Sequence, residues 1–258
     1  MILRPLDPAS PVSQEFLPAW NMVEPLQRQS LTSCWMITQP SHAALAGEIA
    51  SKMAGPQVPK LDAELIRAIA LHDAGWGVPD AQAIVQSRSV GQGRPKSFIE
   101  CGVIELLDAW EKSIDIAASV GPAGGYIVSR HFWRLGQHRV QHTNDHDSDR
   151  KKISRFLESE TRRQKQLATK QKHGPGELEL FTDVLQFCDL LSLYVCSGAR
   201  QNAEFPEFFG VNARLTLEPN GFSLDPPIVH AEAPFLVAAL RHPPVKDQSS
   251  MALEIGIW

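Results

Sequence analysis

Residues 187–196 read Phe-Cys-Asp-Leu-Leu-Ser-Leu-Tyr-Val-Cys, and Asp189 is the one charged residue in this run. A helix that is apolar on all sides is normally buried. A lone buried carboxylate is costly unless it is paired, protonated or bound to a metal ion. The run therefore predicts a buried helix and a compensating partner for Asp189.

A second apolar stretch, residues 68–76, reads Ala-Ile-Ala-Leu-His-Asp-Ala-Gly-Trp. Its strongly polar residues are His72 and Asp73, which are adjacent. On a helix, neighbouring side chains point about 100° apart, so both reach one ion only when that ion lies between helices. The pair is thus expected at a junction between helices.

His42 is expected on the inward face of another helix, because it shares that face with Leu45, Ile49 and Met53. Nitrogen and oxygen donors from three helices suit a divalent transition metal better than calcium, which prefers oxygen ligands alone. The residues leave open Mn, Fe, Co, Ni or Zn, and one ion or two. The alternative is a metal-free network of buried hydrogen bonds.

Periodicity and turn residues predict a mainly α chain that carries a small antiparallel β-sheet. Helices are expected at residues 38–54, 62–75, 98–119, 126–136 and 177–197, with a surface loop at 77–97 and a break at the glycine cluster 121–125. Strands are expected at 2–4, 34–38, 235–240 and 252–258, with a hairpin turned at Asn220-Gly221. The C-terminal region forms the sheet, and the N-terminal strand is a possible addition to it.

This pattern divides the chain into three parts. Residues 1–33 are expected to be an irregular N-terminal extension with a short strand. Residues 34–200 form the helical domain. Residues 201–258 form a small β-rich part that packs on the same domain.

The composition is that of a globular protein: 43% of residues are hydrophobic, 21% are charged, and the formal net charge is −4. The four cysteines show no CxxC spacing, and no leader or long apolar span is apparent. We therefore expect a cytoplasmic protein that has no membrane partner. No GxSxG motif is present, which argues against a serine hydrolase.

The order His, His-Asp and distant Asp resembles the signature of the HD-domain metal-dependent phosphohydrolases. Residues 35–42, 70–76 and 186–194 are also similar to a bacterial family known as domain of unknown function 3891. That similarity spans most of the chain from residue 35 to residue 258. The resemblance implies an HD-domain-like helical bundle, with metal ligands at His42, His72, Asp73 and Asp189.

The HD resemblance also implies an activity, namely divalent-metal-dependent hydrolysis of a phosphate ester, either a nucleotide or a small phosphomonoester. Asp73 and His131 are then the expected catalytic residues, and His131 is also a candidate ligand of a second metal ion. Arg130, Arg94 and Lys96 are candidate contacts to the phosphate of the substrate. Two alternatives stay open: a di-iron oxygenase on an HD scaffold, and a non-catalytic module that senses a ligand or binds a partner.

Residues 150–172 contain nine Lys or Arg residues against two Glu residues. With Phe156 as the one aromatic residue there, the segment favours a solvated helix face, and nucleic acid is not an expected partner. His138, His142 and His146 recur every fourth residue, but the polar residues 141–149 around them favour a solvated loop. The expected partner is a small phosphorylated molecule, and an oligomer is left open.

Overall fold

The computed structural model describes residues 1–7, 14–88, 93–143, 145–245 and 250–258. Within these ranges the chain is mainly helical and carries two small four-stranded sheets, which confirms the predicted fold class. The helices are α1 (Ala19–Arg28), α2 (Gln39–Ser51), α3 (Ala63–Ala70), α4 (Gly77–Ser87), α5 (Val103–Val120), α6 (Pro122–His142), α7 (Asp147–Ala168) and α8 (Pro175–Cys196). The strands are β1 (Ile2–Pro5), β2 (Leu17–Pro18), β3 (Cys34–Ile37), β4 (Ala203–Glu204), β5 (Arg214–Glu218), β6 (Gly221–Asp225), β7 (Phe235–His242) and β8 (Ser250–Ile255).

The first sheet is antiparallel and has the order β1-β3-β7-β8. Ile2 lies opposite Ile37 in β3, and Met36 of β3 lies opposite Leu240 in β7. The N-terminal strand therefore does join the C-terminal sheet, through β3.

The second sheet has the order β2-β4-β5-β6, and its β2–β4 pair is parallel. The predicted hairpin joins β5 to β6. Glu218 pairs with Gly221, so its two-residue turn is Pro219-Asn220, one residue earlier than expected. Gly221 has a φ of +147°, a value that an L side chain rarely adopts, which explains glycine at this position.

The N-terminal segment, which was expected to be irregular apart from one strand, contains helix α1. Ala19, Val23 and Gln27 recur every fourth residue and form its buried face. The Gln27 amide donates to the Leu3 carbonyl and accepts from the Leu3 N–H, so it ties α1 to β1. Pro25 inside the helix hides this periodicity from a sequence analysis.

The prediction of a continuous loop at residues 77–97 is wrong for its first half, which forms α4. Pro79 lies in the first turn of α4, where a backbone N–H has no helical partner to lose. Asp80 is buried, and its carboxylate accepts the N–H of Gln39 at the start of α2. Residues 89–92 of the expected loop lie outside the described residues.

The predicted break at residues 121–125 is also wrong beyond Gly121, since α6 begins at Pro122 and continues through Gly124 and Gly125. A Cβ added at Gly124 would lie 2.8 Å from Cβ of Ala68, and one at Gly125 would lie 2.7 Å from Cβ of Ala118. These glycines thus permit close helix packing and do not mark a turn. Helix α6 also extends to residue 142, so His138 and His142 lie on a helix, contrary to the expected loop.

Helix α8 is the central element of the helical layer. It packs against α1, α2 and α6, while α3 packs against α2 and α6. Most of α8 from Leu178 onward is buried, as its apolar run predicts. In the described part of the chain, no helix has the length and apolar character needed to cross a membrane.

Candidate metal centre

Helices α2 and α8 each bring one predicted ligand to the interior. Thr38 caps α2 by accepting the N–H of Ser41, and Pro40 lies in the first turn. This start directs His42 inward, where it is fully buried. On α8, the Asp189 side chain is 13% exposed and faces the same point.

His72 and Asp73 lie beyond the end of α3, in the turn that precedes a short 3-10 helix, Ala74–Trp76. The helix predicted at residues 62–75 therefore ends at residue 70. The His72 N–H bonds to the carbonyl of Ile69, a tighter spacing than the α-helix uses. In this turn the two adjacent side chains reach one point, with Oδ2 of Asp73 3.7 Å from Nε2 of His72.

The four predicted ligands converge. Nε2 of His42 lies 2.9 Å from Oδ2 of Asp73, and Nε2 of His72 lies 3.2 Å from Oδ1 of Asp189. Asp73 Oδ2 is also 3.7 Å from His72 Nε2. One donor atom each from His42, His72 and Asp189 lie within 4.8 Å of one another, so this group has the geometry to hold a metal ion.

The orientation of His72 is set by the backbone. Its Nδ1 lies 2.8 Å from the carbonyl oxygen of Ile69, which can only accept a hydrogen bond. Nδ1 therefore carries a proton, and Nε2 faces Asp189. A histidine whose Nδ1–H is bound to a backbone carbonyl presents Nε2 as a metal ligand.

Charge at the cluster shifts the pKa values of its members. Burial opposes protonation of His72, but the charges of Asp73 and Asp189 outweigh it and raise the His72 pKa to about 9. Burial likewise opposes ionisation of Asp189, yet the hydrogen bond and charge of His72 lower the Asp189 pKa to about 2. The two carboxylates thus stabilise positive charge at this point, whether it comes from a proton or from a cation.

His131 lies at the edge of the cluster, on α6. Its Nε2 is 3.8 Å from Oδ2 of Asp189, so the two oxygens of that carboxylate face different histidines. Burial lowers the His131 pKa to about 4, against the opposing charge of Asp189. Its Nδ1 is buried and has no hydrogen-bond partner among the described residues. His131 is thus a neutral imidazole with an unused nitrogen.

The three predicted phosphate contacts do not touch this cluster in the described part of the chain. The Arg130 guanidinium donates to Glu179 and lies 4.4 Å from the ring centroid of Trp133. Arg94 donates to Glu100, and Lys96 is exposed. Their roles in binding phosphate therefore stay predictions.

The sequence analysis did not identify two residues that lie near the cluster. Arg134, one turn after His131, donates to Glu179 and to Asp183. Ser192 is fully buried on α8 and lies 3.0 Å from Nδ1 of His42. The sequence spacing could have indicated Ser192, since it follows Asp189 by three residues and therefore lies on the same helix face.

The basic segment forms most of α7, and its single aromatic residue, Phe156, is buried. Helix α7 therefore offers no exposed aromatic ring on which a nucleic-acid base could stack.

Comparison with curated proteins and comparison with solved structures each returned no significant match. A family described as protein of unknown function (DUF3891) matches residues 26–231. That range includes all four converging side chains and His131. The chain therefore belongs to the DUF3891 family.

Proposed function

We propose that this protein is a divalent-metal-dependent hydrolase of the HD type that acts on a phosphate ester, such as a nucleotide or a small phosphomonoester. The observation that supports this most is the convergence of His42, His72, Asp73 and Asp189 on one buried point. These residues come from three elements that are far apart in sequence: α2, the turn after α3, and α8.

The donor set fits a divalent transition metal. The Nε2-to-carboxylate distances of 2.9 and 3.2 Å are shorter than twice a metal–ligand bond of roughly 2.1 Å, so one ion could contact both atoms of each pair. Imidazole nitrogens combined with carboxylates favour Mn, Fe, Co, Ni or Zn over calcium.

A divalent ion at this point would supply Lewis acidity and a hydroxide nucleophile at neutral pH. The protein side chains would do the rest. Asp73 and Asp189 hold positive charge in place, and the Ile69 carbonyl keeps the His72 ring oriented. His131, whose Nε2 faces the cluster 3.8 Å from Oδ2 of Asp189, would accept a hydrogen bond from the attacking water or orient a substrate oxygen through that nitrogen.

The test is turnover of a panel of nucleotides and small phosphomonoesters by the metal-free protein after addition of Mn, Co, Ni or Mg. We expect phosphate release that depends on the metal and is lost in Asp73→Asn, which keeps the side-chain shape and removes the charge. Asp183→Asn, a carboxylate on α8 that makes no contact with the cluster, is the matched control. Absence of phosphate release with every metal and substrate would reject the proposal.

A di-iron oxygenase is the second candidate function. It is favoured by one observation: Oδ1 of Asp189 faces His72, whereas Oδ2 faces His131, as a carboxylate that bridges two ions would require. Two irons per chain and oxygen uptake without phosphate release would support this candidate over the hydrolase.

A further inference from the structure

Ser192 joins two of the predicted ligands. Its Oγ lies 3.0 Å from Nδ1 of His42 and 2.8 Å from the backbone carbonyl oxygen of Asp189. All three groups are in the interior between α2 and α8, and the serine is fully buried. The Ser192 hydroxyl is therefore shielded from bulk solvent.

The geometry allows Ser192 to accept a hydrogen bond from His42. A carbonyl oxygen only accepts, so the contact with Asp189 uses the Ser192 hydroxyl proton. The lone pairs of Oγ can then accept an Nδ1–H of His42. The other ring nitrogen, Nε2, lies 2.9 Å from Oδ2 of Asp73.

A neutral His42 can give Nε2 to a metal ion only when its ring proton is on Nδ1. We propose that Ser192 is a positioning residue that accepts this Nδ1–H when a divalent metal ion binds, and so keeps Nε2 directed at the ion. The inference rests on the metal binding of the proposed function and is independent of the reaction catalysed.

Loss of the hydroxyl has a defined consequence. Without an acceptor there, the Nδ1–H of a His42 that binds an ion would be buried and unpaired, which costs free energy in the metal-bound state. The metal-free protein, in which Nε2–H can donate to Asp73, would lose less. Partners of metal-binding histidines typically contribute about 10- to 100-fold to metal affinity.

The first experiment measures the affinity of the metal-free protein for Co(II) or Zn(II) by calorimetry. We expect Ser192→Ala to weaken binding by about 10- to 100-fold, and Ser192→Thr, which keeps the hydroxyl, to recover most of the loss. Thr182→Val is the matched control, because Thr182 carries a buried hydroxyl on α8 that, among the described residues, donates to the Leu178 carbonyl and not to the cluster. Its affinity should equal that of the wild type. Thermal unfolding of each metal-free variant separates misfolding from a loss of affinity.

The second experiment observes the proton itself. Long-range proton–nitrogen NMR of the histidine rings, in the Zn(II)-bound protein, should show Nδ1–H for His42 in the wild type and in Thr182→Val. A wild-type His42 that binds Zn(II) through Nδ1 would overturn the inference, as would an unchanged metal affinity in Ser192→Ala. Neither measurement uses a substrate, so a failed hydrolase proposal and a failed Ser192 assignment give different results.

Discussion

Oδ1 of Asp189 lies 3.2 Å from Nε2 of His72, across 117 residues of sequence. The contact joins the centre of α8 to the turn that follows α3. His72 is fully buried and the Asp189 side chain is 13% exposed, so removal of one partner would leave the other in the interior without its hydrogen bond. Changes at either residue should therefore affect metal binding and stability together.

Asp189→Asn should abolish metal-dependent stabilisation. A ligand at 100 times its Kd stabilises a protein by about 2.7 kcal/mol, which raises the midpoint of thermal unfolding. We expect the wild type to show this increase with Co(II) or Zn(II) and Asp189→Asn to show none, because an amide is a much weaker ligand than a carboxylate. Asp183→Asn is the control on the same helix and should respond as the wild type does. An increase of equal size in Asp189→Asn would exclude Asp189 as a ligand.

His131→Gln should separate metal binding from catalysis. His131 lies outside the group of atoms that converge within 4.8 Å, so the variant should still bind the ion held by His42, His72 and Asp189. Phosphate release should fall about 100-fold, as expected for loss of a group that positions or accepts a proton. Metal analysis of the dialysed variant checks metal binding, and its turnover rate checks catalysis. Loss of one of two bound ions in the variant would instead indicate that His131 is a ligand at a second metal position.

Gly47→Ala should destabilise the packing of α2 on α3. A Cβ at residue 47 would lie 2.4 Å from Cβ and 2.7 Å from Cα of Ala70, so the backbone of α3 would have to move. Overpacking of this kind costs about 1–3 kcal/mol, which exceeds the gain in helix propensity of about 1 kcal/mol. Urea unfolding of the metal-free protein measures the change. Gly176→Ala, in the first turn of α8, should be neutral or slightly stabilising, because the added Cβ would meet no neighbouring element within 4 Å among the described residues.

The Asp145 carboxylate should make the free energy of unfolding depend on pH in the acidic range. Its hydrogen bonds to the Arg139 guanidinium, more than to Thr143, lower its pKa from 3.8 to about 2 in the folded protein. A lowered folded-state pKa gives stability that is present above pH 4 and is lost as the pH falls to 2. Asp145→Asn should thus cost about 0.5–1 kcal/mol at pH 7 and almost nothing at pH 2, as chemical denaturation at both values can measure. An equal cost at the two pH values would show that charge plays no part.

The burial of four polar side chains was predictable from the sequence, whereas their role as metal ligands stays a prediction. His72, Asp73 and Asp189 stand in apolar stretches, and His42 lies on an apolar helix face. Burial of a polar group is costly, so such positions can be recognised without knowledge of the fold. The buried α8 and the N-terminal strand of the sheet were predictable for a related reason, since runs of apolar residues indicate burial directly.

The elements that were missed depend on packing. Gly124 and Gly125 resemble a turn in sequence, but their lack of a side chain serves contact with Ala68 and Ala118 on other helices. Pro79 and Pro25 suggested irregular structure, whereas each is tolerated within a helix. Glycine and proline positions in the sequence do not show which residues of other helices pack against them.

The amino-acid sequence alone determined the family, the mainly helical class and the four polar side chains that needed a common partner. Only the tertiary structure decided which carboxylate faces which histidine, that His72 and Asp73 leave the helix to share a point, and that Ser192 contacts His42. The physical reason is the range of the interactions. Burial is encoded in neighbouring residues, whereas a hydrogen bond between groups 31, 117 or 150 residues apart exists only once the helices have packed.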